Sequence, residues 1–203
     1  MRNIVGLTLL LFVAASAKAE TDVRANCSAN ARQLLDLAWA EQPMDRSAKN
    51  TGNPAKAELL YKQALLDSPQ CKLAMSHMAS LLSRDDKFRK ANEYNELLLK
   101  YYPDDADALQ RKASLLADGM NDHQGALKIY MHLLKINGPG NGSLCYAVAK
   151  IYSKLGQLDH SIEFLTLATS INKAWGGSGN AQVEKDFENL RKDPRFWALV
   201  KQP

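Results

Sequence analysis

Four marks that recur every 34 or 35 residues constrain this 203-residue chain more than anything else in it. In AELLYKQALLDSP (57–69) they are Ala57, Tyr61, Ala64 and Pro69. Moved on by 34 residues they become Ala91, Asn95, Leu98 and Pro103. A further 35 reaches Ala126, Tyr130 and Leu133, with Pro139 one place late. A last 35 reaches Ser161, Leu165 and Ala168, with no proline. The first mark is small every time. A period in this range means units too small to bury their own apolar face, so neighbours stack to share a core.

The stretches between the marks have a pattern of their own. Met75, Met78, Ala79 and Leu82 recur loosely as Leu109, Lys112, Ala113 and Leu116, then as Cys145, Val148, Ala149 and Tyr152. This i, i+3, i+4, i+7 spacing lines one face of a helix, so each unit is helix, short turn, helix. KLGQLD (154–159) shows the turn, with Lys154 at a helix C-terminus and Gly156 free to turn left-handed beyond it. In SRDDKF (83–88), Asp85 or Asp86 is expected to cap the next helix. Ala79 and Ala91 lack bulk, so two antiparallel helices can approach where they cross. Tyr61, Leu98 and Tyr130 fill the space between pairs.

A 34-residue helix-turn-helix with small residues in both helices, an aromatic four places after the second and a proline near the end resembles the tetratricopeptide repeat. The resemblance covers roughly residues 24–173. It is strongest in repeats two and four (72–105 and 142–173). Repeat three departs, with Lys112 at a usually apolar position and one extra residue in its turn. Repeat one is the most irregular. Its helices are CSANARQLLDLAWAE (27–41) and the stretch from Ala57, separated by the long QPMDRSAKNTGNP (42–54). The resemblance implies an all-α, right-handed α-solenoid of about four such repeats (24–69, 70–103, 104–139 and 140–173), followed by a C-terminal cap.

The cap would lie in 174–203. AWGGSGNA (174–181) is a glycine-rich break. Val183, Phe187 and Leu190 then stand at helical spacing before Asp193-Pro194. D-F-x-x-L-x-x-D-P-R-F endings are similar to those that follow tetratricopeptide arrays in bacterial proteins. Phe187, Phe196 and Trp197 are expected to cover the last apolar face; the alternative is an exposed aromatic patch for a partner. At the other end, Arg2, the apolar IVGLTLLLFVAASA and the small residues of Ala17-Lys18-Ala19 read as a signal peptide over 1–19, cleaved before Glu20. The protein is therefore expected to be exported, to the periplasm, with no membrane contact afterwards. The alternative is an uncleaved anchor. Removing residues 1–19 takes away Arg2 and Lys18 but no acid, so net charge falls from +4 to +2. So mild a balance does not indicate nucleic acid or an anionic membrane as partner.

Motifs that would carry chemistry are missing from the sequence. His77, His123, His132 and His160 form no H-x-x-x-H or H-E-x-x-H, and there is no C-x-x-C. GPGNGS (138–143) lacks the strand and the Lys-Ser/Thr of a phosphate loop and reads as an inter-repeat turn. DDAD (104–107) lacks calcium-loop spacing and reads as a capped helix start. No catalytic residue, metal or cofactor is expected.

In such arrays successive first helices run side by side, which puts Cys27 and Cys71 at the same end of neighbouring helices. A Cys27–Cys71 disulfide is expected, provided the loop character of both ends closes a spacing of about 10 Å to under about 7 Å. Cys145 is read as a buried thiol outside that pair.

Carrying over the family's groove-lining positions implies a partner-binding set. Repeat two offers Ser76, Ser80, Ser83 and Arg84; repeat three Gln110, Ser114 and Asp118; repeat four Tyr146, Lys150, Ser153 and Lys154. Arg32 and Asp36 would extend it into repeat one, with Ser80, Ser114, Tyr146 and Lys150 as central contacts. The function this implies is a non-enzymatic scaffold or adaptor of the bacterial cell envelope, holding a peptide or partner helix in the groove. The alternatives are an accessory subunit of an envelope enzyme or assembly machine, or a self-associating structural protein.

Overall fold

Five helix starts among the described residues are set by short polar side chains. A computed structural model describes residues 26–42, 52–138, 140–172 and 185–200. Within these, Ser28, Asn53, Asp105, Asp122 and Asn141 each accept a hydrogen bond from a backbone N–H three residues on. That satisfies a donor the first helical turn leaves open. The regular elements of the described residues are all helical and fall into two compact units, 1–103 and 104–203.

The first unit contains α1 (Ala29–Ala40), α2 (Pro54–Asp67), α3 (Lys72–Arg84) and α4 (Phe88–Tyr101). Each packs on the next. Ala38, Ala57, Ala79 and Ala91 are fully buried, as are Tyr61, Met75 and Met78. The long segment between α1 and α2 lies partly outside the described residues. Its return is held close to α1: a Cβ on Gly52 would sit 2.6 Å from the Glu41 carbonyl oxygen, so only glycine fits.

The second unit contains α5 (Ala106–Ser114), α6 (His123–Asn137), α7 (Gly142–Lys154), α8 (Leu158–Ile171), a 3₁₀ segment (Lys185–Lys192) and α9 (Pro194–Val200). α5 ends in a π-helical turn, Leu115–Gly119. Ser161, at the recurring small mark, donates its hydroxyl to the Ala149 carbonyl at 2.7 Å, so α7 and α8 touch where both carry small residues. Phe187, Leu190, Phe196 and Val200 close this core. The cap is therefore a 3₁₀ segment and a short α-helix, with Trp197 packed at its edge.

The three turns inside repeats two, three and four share one geometry. Asp86, Asn121 and Gly156 lie 35 residues apart and all adopt the left-handed conformation, with φ of 58°, 55° and 73°. Neither Asp85 nor Asp86 caps the following helix, contrary to expectation. Lys87 stands at that position, and the helix has no side-chain cap bond. Asp86 is occupied as the left-handed residue of a closure in which Lys87 N–H bonds the Leu82 carbonyl at 2.9 Å, matched by Gln157 N–H on Tyr152 at 2.9 Å. In repeat three the corresponding bond, Asp122 N–H to Leu116, spans one residue more. The π turn, Leu115–Gly119, takes up that extra residue. The proposed signal segment 1–19, the glycine-rich break 174–181 and Val183 lie outside the described residues.

Candidate partner-binding faces

In the first unit, one face is built from α1 and α3. The Cys27–Cys71 disulfide ties the starts of the two helices, with Cα atoms 4.6 Å apart. The loops preceding both helices provide the approach that parallel helix axes could not. Polar contacts reinforce the junction. Ser28 N–H donates to Ser68 Oγ at 3.0 Å, its hydroxyl donates to Asp67, and Asn30 donates to Asp67 at 3.1 Å. These donors, Ser28 first, hold the Asp67 carboxyl below its usual pKa. Both cysteines are buried. Cys145 lies outside the disulfide, and burial pushes its thiol pKa up.

Further along the face, Trp39 of α1 sits on His77 of α3 with ring centroids 4.9 Å apart, and His77 stacks on buried Tyr61 at 5.8 Å. Arg84 donates to Gln42, and Gln42 donates to the Tyr61 hydroxyl. Burial raises the Tyr61 pKa, and the Gln42 bond and the Arg84 charge only partly counter it. The hydroxyl therefore stays protonated at neutral pH, and the chain of donors orients the Arg84 head. Ser76, Ser80 and Arg84 follow one another at four-residue intervals on α3 and so share one side of that helix. Arg32 is turned back, donating Nε–H to the Cys27 carbonyl at 3.0 Å. The Ser80 hydroxyl donates to Ser76 of its own helix at 3.0 Å.

Sequence reasoning missed Trp39, which remains 48% exposed. The signal was present: Cys27 and Cys71 are 44 residues apart, and the same offset carries Trp39 onto Ser83. The long insertion in repeat one hid that register.

In the second unit the expected positions separate. Gln110 and Ser114 line an open cavity of about 350 Å³ together with Asp107 and Arg111. The Ser114 and Tyr130 hydroxyls pair at 2.9 Å. Burial lowers the Arg111 pKa, and the charges of Asp105 and Asp107 only partly counter it. On α7 the expectation of an open face fails, because the 3₁₀ segment lies over it. Asp186 reaches Lys150 at 2.9 Å and Lys154 at 3.1 Å, and Lys154 also reaches Asp118 at 3.1 Å. Burial would raise the Asp186 pKa, but the two lysines outweigh it and hold it below the usual range. Tyr146, expected as a central contact, is only 6% exposed, with the Phe187 ring edge-on against it at 5.4 Å. Ser153 is fully buried, and its carbonyl accepts from Asn189 at 3.2 Å. The apolar side chains of the tail need cover, and α7 supplies it together with two cations for the partly exposed Asp186.

Among the described residues no cluster of three or more His, Cys, Asp or Glu could hold a metal ion, and no helix is long and apolar enough to cross a membrane.

Residues 142–174, which contain α7 and α8, match the tetratricopeptide repeat family. No curated protein matches the chain by sequence. Solved structures match it by fold. A double mutant of MamA from strain RS-1 superposes with a TM-score of 0.64 at 17% identity, over 85% of this chain and 96% of that one. MamA from residue 41 of Desulfovibrio magneticus gives 0.63 at 17%, over 74% and 81%. A tetratricopeptide repeat protein from Parabacteroides merdae gives 0.62 at 18%, over 72% and 55%.

Proposed function

We propose that this chain, a tetratricopeptide-repeat protein in fold, all-α and of the α-solenoid kind, is a non-enzymatic interaction module of the bacterial cell envelope, and that a partner protein docks on the α1–α3 face. The observation that carries this is Trp39. A half-exposed tryptophan seated on a histidine, with an arginine two turns further along the same helix, brings together residue types of interface hot spots. It stands on a face lined by Ser76, Ser80 and Arg84. The face of α7 is covered by the chain's own tail and cannot serve in the same way without losing it.

Export is part of the proposal. A disulfide persists in an oxidising compartment, so the Cys27–Cys71 pairing supports a periplasmic location alongside the apolar N-terminal segment. N-terminal sequencing of the secreted protein should begin at Glu20.

Docking is tested by placing a photo-crosslinking residue at Ser80 in cells, with exposed Lys90 on α4 as the control position. A discrete adduct formed from Ser80, absent from Lys90 and lost when Trp39→Ala is added, supports the reading. Equal adducts from both positions, or an adduct indifferent to Trp39→Ala, would sink it.

A further inference from the structure

On α1 a row of side chains is open that α3 and α7 bury. In the register set by Cys27 and Cys71, 44 residues apart, the buried Ala31, Leu35 and Ala38 of α1 fall on Met75, Ala79 and Leu82 of α3, which are buried too. Beside these, α3 buries a second row, Ala74, Met78 and Leu81. α7 repeats it 70 residues on as Leu144, Val148 and Ile151. The same places on α1 are Asn30, Leu34 and Leu37. Asn30 is exposed and Leu34 half-buried. Leu37 is 52% exposed, against 1% for Leu81 and 3% for Ile151.

The difference lies in what covers the row. α2 packs on α3, and α6 packs on α7, so each of these first helices lies against the second helix that precedes it. Among the described residues no helix precedes α1. The chain shows twice what a covering helix carries: Tyr61 and Leu65 on α2, Tyr130 and Leu134 on α6. Residues four apart share one side of a helix. Tyr61 stacks on His77 of α3, and Tyr130 and Leu134 lie in one buried cluster with Leu144 and Ile151 of α7. From this we infer that the open row of α1 receives an amphipathic helix of a partner protein. It seats where a preceding second helix would lie and presents an aromatic and an aliphatic side chain four residues apart to Leu34 and Leu37. The row carries no charge, so burial of apolar surface drives the contact.

Two other occupants fit less well. A second copy stacked head to tail would need an open last helix, but Phe187, Leu190, Phe196 and Val200 share a buried cluster with Leu165 and Ala168 of α8. The chain's own start is too short in the exported form proposed above, on which this step rests: six residues, 20–25, then precede Asn26. Two helical turns take about seven residues, before any reversal of the chain. The row is also distinct from the face that carries Trp39. Leu37 and Trp39 are two residues apart, which is about 200° around the helix.

The test uses the processed, disulfide-bonded protein and a fluorescein-labelled peptide with the sequence of α6, 123–137. A lactam between Lys128 and a Gln124→Glu side chain holds the peptide helical. Control peptides carry Tyr130→Ser or Leu134→Ser. Fluorescence anisotropy should show saturable binding, weakened by about tenfold or more in either control peptide and by Leu37→Lys in the protein. Leu66→Ser, at a leucine of α2 that is 83% exposed, should leave it unchanged. Far-UV circular dichroism of each variant separates lost binding from lost fold. Absence of saturable binding overturns the inference, as does a folded Leu37→Lys protein that binds like the parent, or equal weakening by Leu66→Ser. Sedimentation showing a dimer that Leu37→Lys dissolves would give the row to a second copy. Residues 1–19 found still attached, with the peptide excluded until they are removed, would give it to the chain itself. Either result overturns the inference. The Ser80 adduct reports the other face of α1, so the two can fail separately.

Discussion

The left-handed residues at 86, 121 and 156 show how one backbone requirement is met by three side chains. Glycine carries no penalty there, Asn and Asp tolerate the region, and other residues lose roughly 1–2 kcal/mol. A Cβ on Gly156 would meet nothing within 4 Å, so the effect of adding one is purely conformational. Gly156→Ala should therefore lower stability by about 1–2 kcal/mol in chemical denaturation. Asp86→Gly should cost nothing or gain a few tenths. Equal losses for both would mean the turns do not share this geometry. Gly52 differs in kind. There the obstacle is the Glu41 carbonyl, so Gly52→Ala has to move backbone, and it should cost more than Gly156→Ala.

At the scale of elements, the tail and α7 depend on each other. Asp186 is only 21% exposed at its side chain and accepts from two lysines. Replacing it with Asn leaves both cations with one weak acceptor, a loss of about 1–3 kcal/mol for hydrogen bonds to charged groups. The pH dependence has a definite sign. The folded carboxyl has a lowered pKa, so its contribution is present above the ordinary carboxylate range near 4 and is lost as pH falls through the folded value. Acidification below about pH 4 should loosen the 3₁₀ segment. Trp197, whose indole N–H donates to the Arg191 carbonyl at 2.7 Å, is a nearby fluorescence reporter. Asp186→Asn should remove this acid transition; if the transition persists in the variant, another group controls the tail. The crossing of α7 and α8 makes a second element-level prediction. Ala149→Leu puts a large side chain where Ser161 touches the helix, and overpacking of this kind costs about 1–3 kcal/mol, seen as a lower Tm.

For the molecule as a whole, the disulfide decides how well the irregular first repeat is held. It spans 44 residues and encloses the long insertion together with all of α1 and α2. In the chain-entropy model a loop of that length stabilises by about 4 kcal/mol. Exchanging both cysteines for serine should remove most of this. The loss should appear in hydrogen exchange of 26–103 while α7 and α8 keep their protection; uniform loss across 104–200 would contradict it. Docking on the α1–α3 face should weaken with it, because the disulfide holds the start of α1, which carries Trp39, to the start of α3, which carries His77.

Much of this architecture was legible from spacing. The small marks at 57, 91, 126 and 161 are all buried, because a helix crossing leaves no room for bulk there. Helix identity and turn placement follow from a period that local sequence carries in full; the Cys27–Cys71 pairing, 44 residues apart, is expected only from the side-by-side first helices that the resemblance implies. Openness of a face is a different kind of property. Tyr146 and Lys150 occupy their expected positions on α7, yet a segment more than thirty residues further along the chain covers one and neutralises the other. Trp39 reads as one more apolar residue of α1 until the disulfide and His77 place it at the surface. Repetition determines which residues a helix turns toward its neighbours, since packing is local to each repeat. Which of those faces remains available to a partner was decided only by tertiary structure, because cover comes from wherever the chain returns.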